Sequence, residues 1–257
     1  MSAGNENPLI AGVLSAPVLE SAEAAPDGEV AGNVRLCDVL EIRYDLFPDR
    51  KAWADIARRA KSLNPSAILL GTVRLERDGG ALPDSFDGRR MPFWEKIIGA
   101  DEHPDWLDLE RFALADYASL RSRCDCAGMK IIVSEHDFKG IPGIEELSAS
   151  ADECVRLKAD GFKIAAMSSS AGDCDGLYAF IERRFKDFEW LSAFAMGDTG
   201  RASRLWSLAC GANLTYASIM GAAAPGQIPV ARMKSLLKSL PDFRSEADFR
   251  AVLSKNA

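Results

Sequence analysis

The sequence predicts an α/β protein built as a (β/α)8 TIM barrel, and three observations favour this fold class. Short apolar runs with the character of buried strands alternate with amphipathic stretches, and this alternation indicates a parallel sheet. About eight such runs occur in 257 residues, which matches the size of this barrel. The alternative, an open doubly wound sheet, is less favoured because no Gly-x-Gly-x-x-Gly motif follows the first run. The barrel is expected to be a single domain over residues 1–257.

The strand and helix candidates differ in the period of their apolar residues. Strands buried on both faces have nearly continuous apolar runs, whereas helices place apolar residues three and four positions apart. The predicted strands are residues 9–14, 38–44, 67–73, 106–109, 130–134, 162–167, 190–195 and 212–219. The clearest predicted helices are residues 50–63, 110–123, 144–158, 174–186, 201–209 and 229–240. Residues 19–32 contain Pro26 and two glycines, so the first helix must be short or irregular.

The composition argues against several classes of function. The net charge of −7 disfavours non-specific binding to nucleic acid or to an anionic membrane. No apolar run reaches the roughly 18 residues that a membrane-spanning helix needs, and residues 1–7 lack the pattern of a signal peptide. The six cysteines are scattered along the chain and are interpreted as reduced thiols, so a cytoplasmic protein is expected.

Lys163 is the most informative single residue because it interrupts the apolar run of residues 162–167. Burial of an unpaired ammonium group costs several kcal/mol, so Leu or Met would serve a purely structural strand better. A buried lysine tends to have a lowered pKa, and its neutral amine can then attack a carbonyl carbon. The ordinary interpretation, a lysine that pairs with a carboxylate or reaches solvent at the strand end, stays open on this run alone.

Polar residues near the C-terminal ends of other predicted strands recur at every second position. Side chains at positions i and i+2 share one face of a strand, and barrel enzymes carry their chemistry at these ends. Taken alone, a Glu-x-Arg pair on a strand also fits a solvated surface, and a lone histidine at a strand end also fits a structural role. If all of these faces point into the barrel lumen, Lys163 is joined there by Glu41, Arg43, Arg74 and His136, with Thr72 and Ser134 on the same faces.

Together these residue types favour imine chemistry on a carboxylated substrate. Lys163 would form an imine with a ketone or an aldehyde, and His136 could move a proton near neutral pH. The arginines suit a carboxylate, whose geometry matches the planar guanidinium group. Metal catalysis is disfavoured because the chain has only two histidines, and His103 stands beside Pro104 in a polar turn.

Six motifs, taken in order, resemble the type I 3-dehydroquinate dehydratase family, whose members form an imine with their substrate. Any one motif would be weak, but together they follow the spacing of barrel strands over nearly the whole chain. They are Glu-Ile-Arg-Tyr-Asp at 41–45, Thr-Val-Arg at 72–74 with Asp-Gly-Gly at 78–80, Ser-Glu-His-Asp-Phe at 134–138, Lys-Ile-Ala-Ala-Met at 163–167, Met-Gly at 196–197 with Ser-Arg at 203–204, and Ala-Pro-Gly-Gln at 224–227.

The resemblance implies a role for each matching residue in the conversion of 3-dehydroquinate to 3-dehydroshikimate, a step of the shikimate pathway. Lys163 would form the imine at the C3 ketone, and His136 would move protons at C2 and at the departing C1 hydroxyl. Arg204 would anchor the substrate carboxylate. The family also implies a homodimer that needs no metal and no added cofactor. Further substrate contacts would come from Glu41, Arg43, Arg74 and Gln227, the last on a closing lid at residues 220–227.

Two positions depart from the family pattern. Asp78 stands where the family usually has Glu, so its contact near His136 is expected to be longer or re-routed. Ala223 stands where the lid usually has Ser, and one lost neutral hydrogen bond costs about 0.5–1.5 kcal/mol, or roughly threefold to tenfold in rate or affinity. We therefore expect an enzyme that is slower or binds its substrate more weakly.

Two other functions remain open. A different class I aldolase-like imine barrel would keep Lys163 but would not need the Ser-x-His-x-Phe and Pro-Gly-Gln motifs. A non-catalytic or altered-substrate homologue would bind a related cyclic hydroxy acid, and thermal stabilisation by quinate-like acids without turnover would favour it. Retention of both His136 and Lys163 argues against a non-catalytic protein.

Overall fold

Eight parallel strands surround a central lumen in the computed structural model, which describes residues 8–221 and 226–239. The hydrogen-bonded order of the strands is β7-β6-β5-β4-β3-β2-β1-β8, and this arrangement confirms the (β/α)8 barrel. In chain order the strands are β1 (Leu9–Leu14), β2 (Val39–Arg43), β3 (Ile68–Thr72), β4 (Trp106–Glu110), β5 (Lys130–Asp137), β6 (Gly161–Met167), β7 (Trp190–Met196) and β8 (Leu214–Ala217).

The seam of the barrel lies between β7 and β8, and Asn213 joins the two strands there. Its backbone N–H donates to the carbonyl oxygen of Leu191 at 3.0 Å. Its side-chain Oδ1 accepts from the backbone N–H of Leu191 at 2.8 Å. Its own carbonyl oxygen accepts from the N–H of Leu9, at the start of β1, at 2.8 Å. The amide side chain thus takes the place of a peptide group in the ladder and completes the ring of strands.

The α-helices within the described residues are α1 (Ala16–Ala24), α2 (Glu29–Leu36), α3 (Trp53–Leu63), α4 (Met91–Ile98), α5 (Tyr117–Ala127), α6 (Ile144–Arg156), α7 (Asp175–Arg184), α8 (Ser203–Ala209) and α9 (Val230–Ser239). The first unit has two short helices with a break around Pro26, as expected for a segment that contains proline and glycine. None of the described helices combines the length and the apolar character needed to cross a bilayer.

One helix was not predicted and another begins later than predicted, both for local reasons. Helix α4 was not predicted because it has only eight residues and carries Pro92 in its first turn, so its apolar period is short. The helix expected from residue 110 begins later. Strand β4 continues through Glu110, a 3-10 helix spans Arg111–Asp116, and α5 starts at Tyr117.

Apolar side chains form two layers on either side of the sheet. The larger layer contains outward-facing strand residues, such as Ile164 of β6, together with the buried faces of the helices. The smaller layer fills the lumen, where Trp106 and Trp190 pack with their ring centroids 4.6 Å apart at the N-terminal ends of β4 and β7. The N-terminal half of the lumen is therefore a packed core, and the polar residues occupy its C-terminal half.

Candidate active site

A pocket of about 450 Å³ opens at the C-terminal ends of the strands. It contains every site residue predicted from the sequence that lies in the described ranges, and Ala223 lies outside them. The assumption that the polar strand faces point into the lumen is thereby confirmed. The predicted residues that line it are Glu41, Arg43, Arg74, Asp78, His136, Lys163, Arg204 and Gln227.

Lys163 lies at the centre of this constellation with only 4% of its surface exposed. Its Nζ lies 3.7 Å from Glu41 Oε2 and 3.6 Å from Asp108 Oδ2. In the strand registers it is paired with Ser134 of β5 and Ser192 of β7, whose small side chains leave room for the amine at this level. Burial lowers the pKa of Lys163 and outweighs the opposite effect of the two carboxylates, so the neutral, nucleophilic amine is more accessible than in water.

Glu41 supplies a fixed negative charge beside the lysine. Burial alone would raise its pKa, but the positive charges of Lys163 and the arginines lower it to about 2. Thr72, on the neighbouring strand, donates a hydrogen bond from Oγ1 to Glu41 Oε1 at 2.9 Å. The carboxylate therefore stays ionised at neutral pH and keeps one orientation.

Arg74 follows β3 and connects the acidic residues of the lumen. Its Nη1 donates to Asp78 Oδ2 at 2.9 Å, and its Nη2 donates to Asp108 Oδ1 at 2.9 Å. Nη1 also lies 2.8 Å from His136 Nδ1. Because the guanidinium group is buried and always charged, it shares the two aspartates with the positive charge of Lys163.

His136 lies at the end of β5 as a neutral base. Burial, followed by the charges of Arg74 and Lys163, lowers its pKa well below 6.5. Its Nδ1 lies 3.0 Å from Asp78 Oδ2 and can donate to this carboxylate in one tautomer, or accept from Arg74 in the other. A neutral imidazole in this position can take a proton from a bound molecule near pH 7.

The expectation that Asp78 makes a longer or re-routed contact was wrong. The 3.0 Å separation between Asp78 Oδ2 and His136 Nδ1 is an ordinary hydrogen-bond distance. Asp78 ends a 3-10 helix, Glu76–Asp78, and is followed by Gly79 with a φ of 77°. This tight turn brings the backbone close to the histidine, so the shorter side chain still reaches it.

Asp108, a fully buried residue of β4, was not predicted as a site residue from the sequence. It accepts hydrogen bonds from Arg74 Nη2 at 2.9 Å and from Ser134 Oγ at 2.7 Å. Its signal was present, because Asp108 and Glu110 alternate with apolar residues in the same way as Glu41 and Arg43. Tyr216 of β8 also lines the pocket, but an aromatic residue in an apolar strand gives no signal of its own.

Arg204 and Gln227 form the side of the pocket opposite His136 and Asp78. Arg204 is the second residue of α8, and its Nε donates to the carbonyl oxygen of Gly226 at 3.2 Å. Its guanidinium group lies 4.3 Å from the centroid of the Phe194 ring. Burial lowers the pKa of Arg204 to about 9, so an anion bound beside it would offset part of the cost of burying its charge.

Arg43 lines the pocket and also forms an ion pair with a neighbouring residue. Its Nε and Nη2 donate to the two carboxylate oxygens of Asp45 at 2.9 and 2.7 Å. Asp45 also accepts from the N–H of Ala81, at 2.9 Å, in the loop after Gly80. Arg43 is thus held in one orientation at the rim, where it can contact a polar group of a ligand.

The chemistry available in the pocket is that of an amine, an imidazole and guanidinium groups. Among the residues that the structure describes, no group of three His, Cys, Asp or Glu side chains is placed to hold a metal ion. An amine with a lowered pKa can condense with a carbonyl group, and the neutral imidazole can move protons on the atoms beside it. The arginines can hold an anionic substituent at the far side of the same molecule.

Comparisons with known proteins agree over most of the chain. A family model described as type I 3-dehydroquinase matches residues 17–243. A 3-dehydroquinate dehydratase from Methanosarcina acetivorans is 31% identical over 241 residues, which cover 90% of this chain and 94% of the relative. Another from Enterococcus faecalis is 30% identical over 248 residues, which cover 92% and 94%. A crystal structure of 3-dehydroquinate dehydratase from Geobacillus kaustophilus has a TM-score of 0.83 at 26% identity and covers 94% of each chain.

Proposed function

Because the chain belongs to the type I 3-dehydroquinase family, we propose that it converts 3-dehydroquinate to 3-dehydroshikimate through an imine on Lys163. The observation that carries this proposal is the setting of Lys163. Its amine is buried in the lumen, has a lowered pKa, and shares one pocket with a neutral histidine and Arg204. An amine in this state is suited to condense with the ketone of a carboxylated substrate.

The reaction proceeds in four steps. Lys163 Nζ attacks the C3 ketone, and loss of water gives a protonated imine. The imine withdraws electrons, so His136 can remove a proton from C2 to form an enamine. The enamine expels the C1 hydroxyl, which leaves as water after His136 returns a proton to it. Hydrolysis of the product imine then releases 3-dehydroshikimate and restores the free amine.

Asp78 positions His136 for both proton transfers. Its carboxylate, 3.0 Å from Nδ1, can accept a hydrogen bond from Nδ1 in the tautomer in which Nε2 is the base. Arg74 also fixes this carboxylate, because its Nη1 donates to the same oxygen, Oδ2, at 2.9 Å. The two contacts leave His136 little freedom to rotate, which favours a constant distance to the substrate.

We expect Asp78→Ala to lower kcat roughly tenfold to hundredfold with a much smaller change in KM. The variant removes a hydrogen bond to a charged group, worth about 1.5–3 kcal/mol, from a residue that acts through His136. Steady-state kinetics test this expectation, with Asp78→Glu as the matched control because it keeps the carboxylate. If Asp78→Ala keeps the wild-type kcat, His136 does not depend on this contact.

We expect Arg204→Met to raise KM roughly tenfold to hundredfold, because the substrate carboxylate loses a charge-assisted hydrogen bond. Burial around Arg204 strengthens this contact, since little water competes for the guanidinium group. Arg201→Met is the matched control, because Arg201 is three residues away and pairs with Asp198 near the surface. A variant of Arg204 with an unchanged KM would exclude it as the carboxylate anchor.

The proposed function is tested by adding 3-dehydroquinate to the purified protein and following the ultraviolet absorbance of the conjugated enone product. Steady turnover that scales with protein concentration is the expected result. Absence of turnover, with thermal stabilisation by quinate-like acids, would instead support a homologue that binds a cyclic hydroxy acid without dehydrating it. Borohydride trapping with other keto acids would identify an altered substrate.

The biological setting stays a prediction. A cytoplasmic homodimer that acts in the shikimate pathway is what the family resemblance implies, and no cofactor is expected. The described cysteines are free thiols, and all of them except Cys126 are buried, which is compatible with a reducing compartment. Sedimentation equilibrium of the purified protein tests the dimer directly.

A further inference from the structure

Tyr216 is a pocket residue to which the mechanism above gives no role. It belongs to β8, and 3% of its surface is exposed. The Nζ of Lys163 lies 4.4 Å from the centroid of its ring, and the ring packs against Phe194 at 5.7 Å between centroids. Tyr216 is therefore fixed by packing with its face against the amine.

The hydroxyl of Tyr216 lies among the carboxylates that surround the lysine. It is buried and lies close enough to Glu41 to interact with its carboxylate, but the contact does not reach the geometry of a normal hydrogen bond. Burial and the negative charges of Glu41 and Asp108 raise the pKa of Tyr216 well above 10. The hydroxyl thus keeps its proton and can donate it in a hydrogen bond, most directly to Glu41.

Glu41 has one oxygen available for either of two donors. Its Oε1 accepts from Thr72, whereas its Oε2 lies 3.7 Å from Lys163 Nζ. A protonated Lys163 attracts this oxygen. When the lysine loses its proton, the carboxylate loses its counter-charge and the nearby tyrosine hydroxyl can replace it. Buried polar groups of this kind are costly unless a donor satisfies them.

We propose that Tyr216 is a positioning residue that favours the neutral, nucleophilic form of Lys163, because its hydroxyl supplies Glu41 with a hydrogen bond when the ammonium proton leaves. The inference rests on the proposed role of Lys163 as the imine-forming nucleophile. The ring contributes in the opposite sense, because an aromatic face stabilises a cation. Removal of the hydroxyl alone therefore isolates the effect that we assign to it.

The other charged groups that face the lysine are unchanged in the single variant Tyr216→Phe. They come from five elements around the lumen, and Lys163 is the ionisable side chain that β6 contributes to the pocket. They are Glu41 and Arg43 of β2, Arg74 after β3, Asp78 of the following 3-10 helix, Asp108 of β4 and His136 of β5.

The experiment measures the protonation of Lys163 without any substrate. Formaldehyde and cyanoborohydride methylate neutral amines, and peptide mass spectrometry reports the rate at Lys163 as a function of pH, with the exposed Lys51 as internal reference. In Tyr216→Phe, we expect the midpoint for Lys163 to rise by about one to two pH units, the size of one hydrogen bond to a charged group. The low-pH limb of kcat/KM should move upward by the same amount.

Two controls define the origin of the shift. Tyr117→Phe also removes a buried tyrosine hydroxyl, but on α5, and should leave the Lys163 midpoint unchanged. In a Glu41→Gln background, Tyr216→Phe should produce no further shift, because the hydroxyl then has no carboxylate to satisfy. Additive shifts in the double variant would show that the hydroxyl does not act through Glu41.

Three outcomes would overturn the inference. These are an unchanged midpoint in Tyr216→Phe, a midpoint that falls, or a change confined to KM that would make the hydroxyl a substrate contact. The labelling needs no 3-dehydroquinate, so it separates this inference from the proposed function. A shifted midpoint in a protein without turnover would sustain the link between Tyr216 and Lys163 and reject the dehydratase.

Discussion

Substitution of Lys163 by Met should abolish turnover of 3-dehydroquinate and the covalent capture of keto acids by borohydride. Met nearly preserves the shape of the side chain and removes the amine to which we assign imine formation. Removal of a covalent nucleophile leaves only binding and the remaining polar groups, so we expect a fall in kcat on the order of 10⁴-fold or more. The pocket should still bind the substrate carboxylate through Arg204.

The measurement combines steady-state kinetics with intact-protein mass spectrometry after borohydride treatment. Wild-type protein should gain the mass of one reduced substrate adduct, located in the peptide that contains Lys163. Lys130→Met is the matched control, because Lys130 begins the neighbouring strand at the opposite end of the barrel and pairs with Glu189 near the surface. A Lys163→Met protein that still forms an adduct would place the imine elsewhere.

Burial is the main cause of the lowered pKa of Lys163, and the charge of Arg74 helps to explain why the two flanking carboxylates do not reverse it. Asp108 and Glu41 also lie close to Arg74, at 2.9 and 3.5 Å from its Nη2. The guanidinium group of Arg74 cannot lose its proton, so it neutralises much of the negative charge of these carboxylates. Its positive charge also repels a proton on Lys163 Nζ. The carboxylates then keep Lys163 in place without holding it in the ammonium form.

The barrel and most of its site were predictable because both depend on short-range patterns. A single charged residue in an apolar strand identified Lys163, and the period of two along the strands predicted that Glu41, Arg43 and His136 point into one lumen. Asp108 carries the same alternating signal and could have been found by the same argument. Helix α4 was too short for the helical spacing of its apolar residues to be recognised in the sequence.

Distances across the lumen were not predictable, because they depend on strand register and on the turns that follow the strands. The contact between Asp78 and His136 depends on the short 3-10 helix that ends at Gly79. The contact between Tyr216 and Lys163 is made between β8 and β6, strands that are not neighbours in the hydrogen-bonded order. No local pattern in the sequence encodes either distance.

Substitution of His136 by Gln should lower kcat by about 10²- to 10⁴-fold, the usual contribution of a positioned acid and base. Gln can keep a hydrogen bond to Asp78 but cannot exchange a proton near neutral pH. Imine formation with Lys163 should persist, so borohydride should still trap substrate on the variant. A His136→Gln protein with full turnover would show that another group moves the C2 proton.

The same variant should change how stability depends on pH. The folded state holds the pKa of His136 well below its ordinary value of 6.5, so the unfolded chain binds the extra proton more readily as the pH falls through 6.5. Stability that is present at higher pH is therefore lost as the pH falls through this range toward the folded-state pKa. Urea unfolding at several pH values should show a smaller loss of stability on acidification in His136→Gln than in wild type.

His103→Gln is the control, because His103 is the one other histidine of the chain and lies in the turn before β4. If both variants lose stability on acidification to the same extent as wild type, burial of the neutral imidazole is not the cause of the pH dependence.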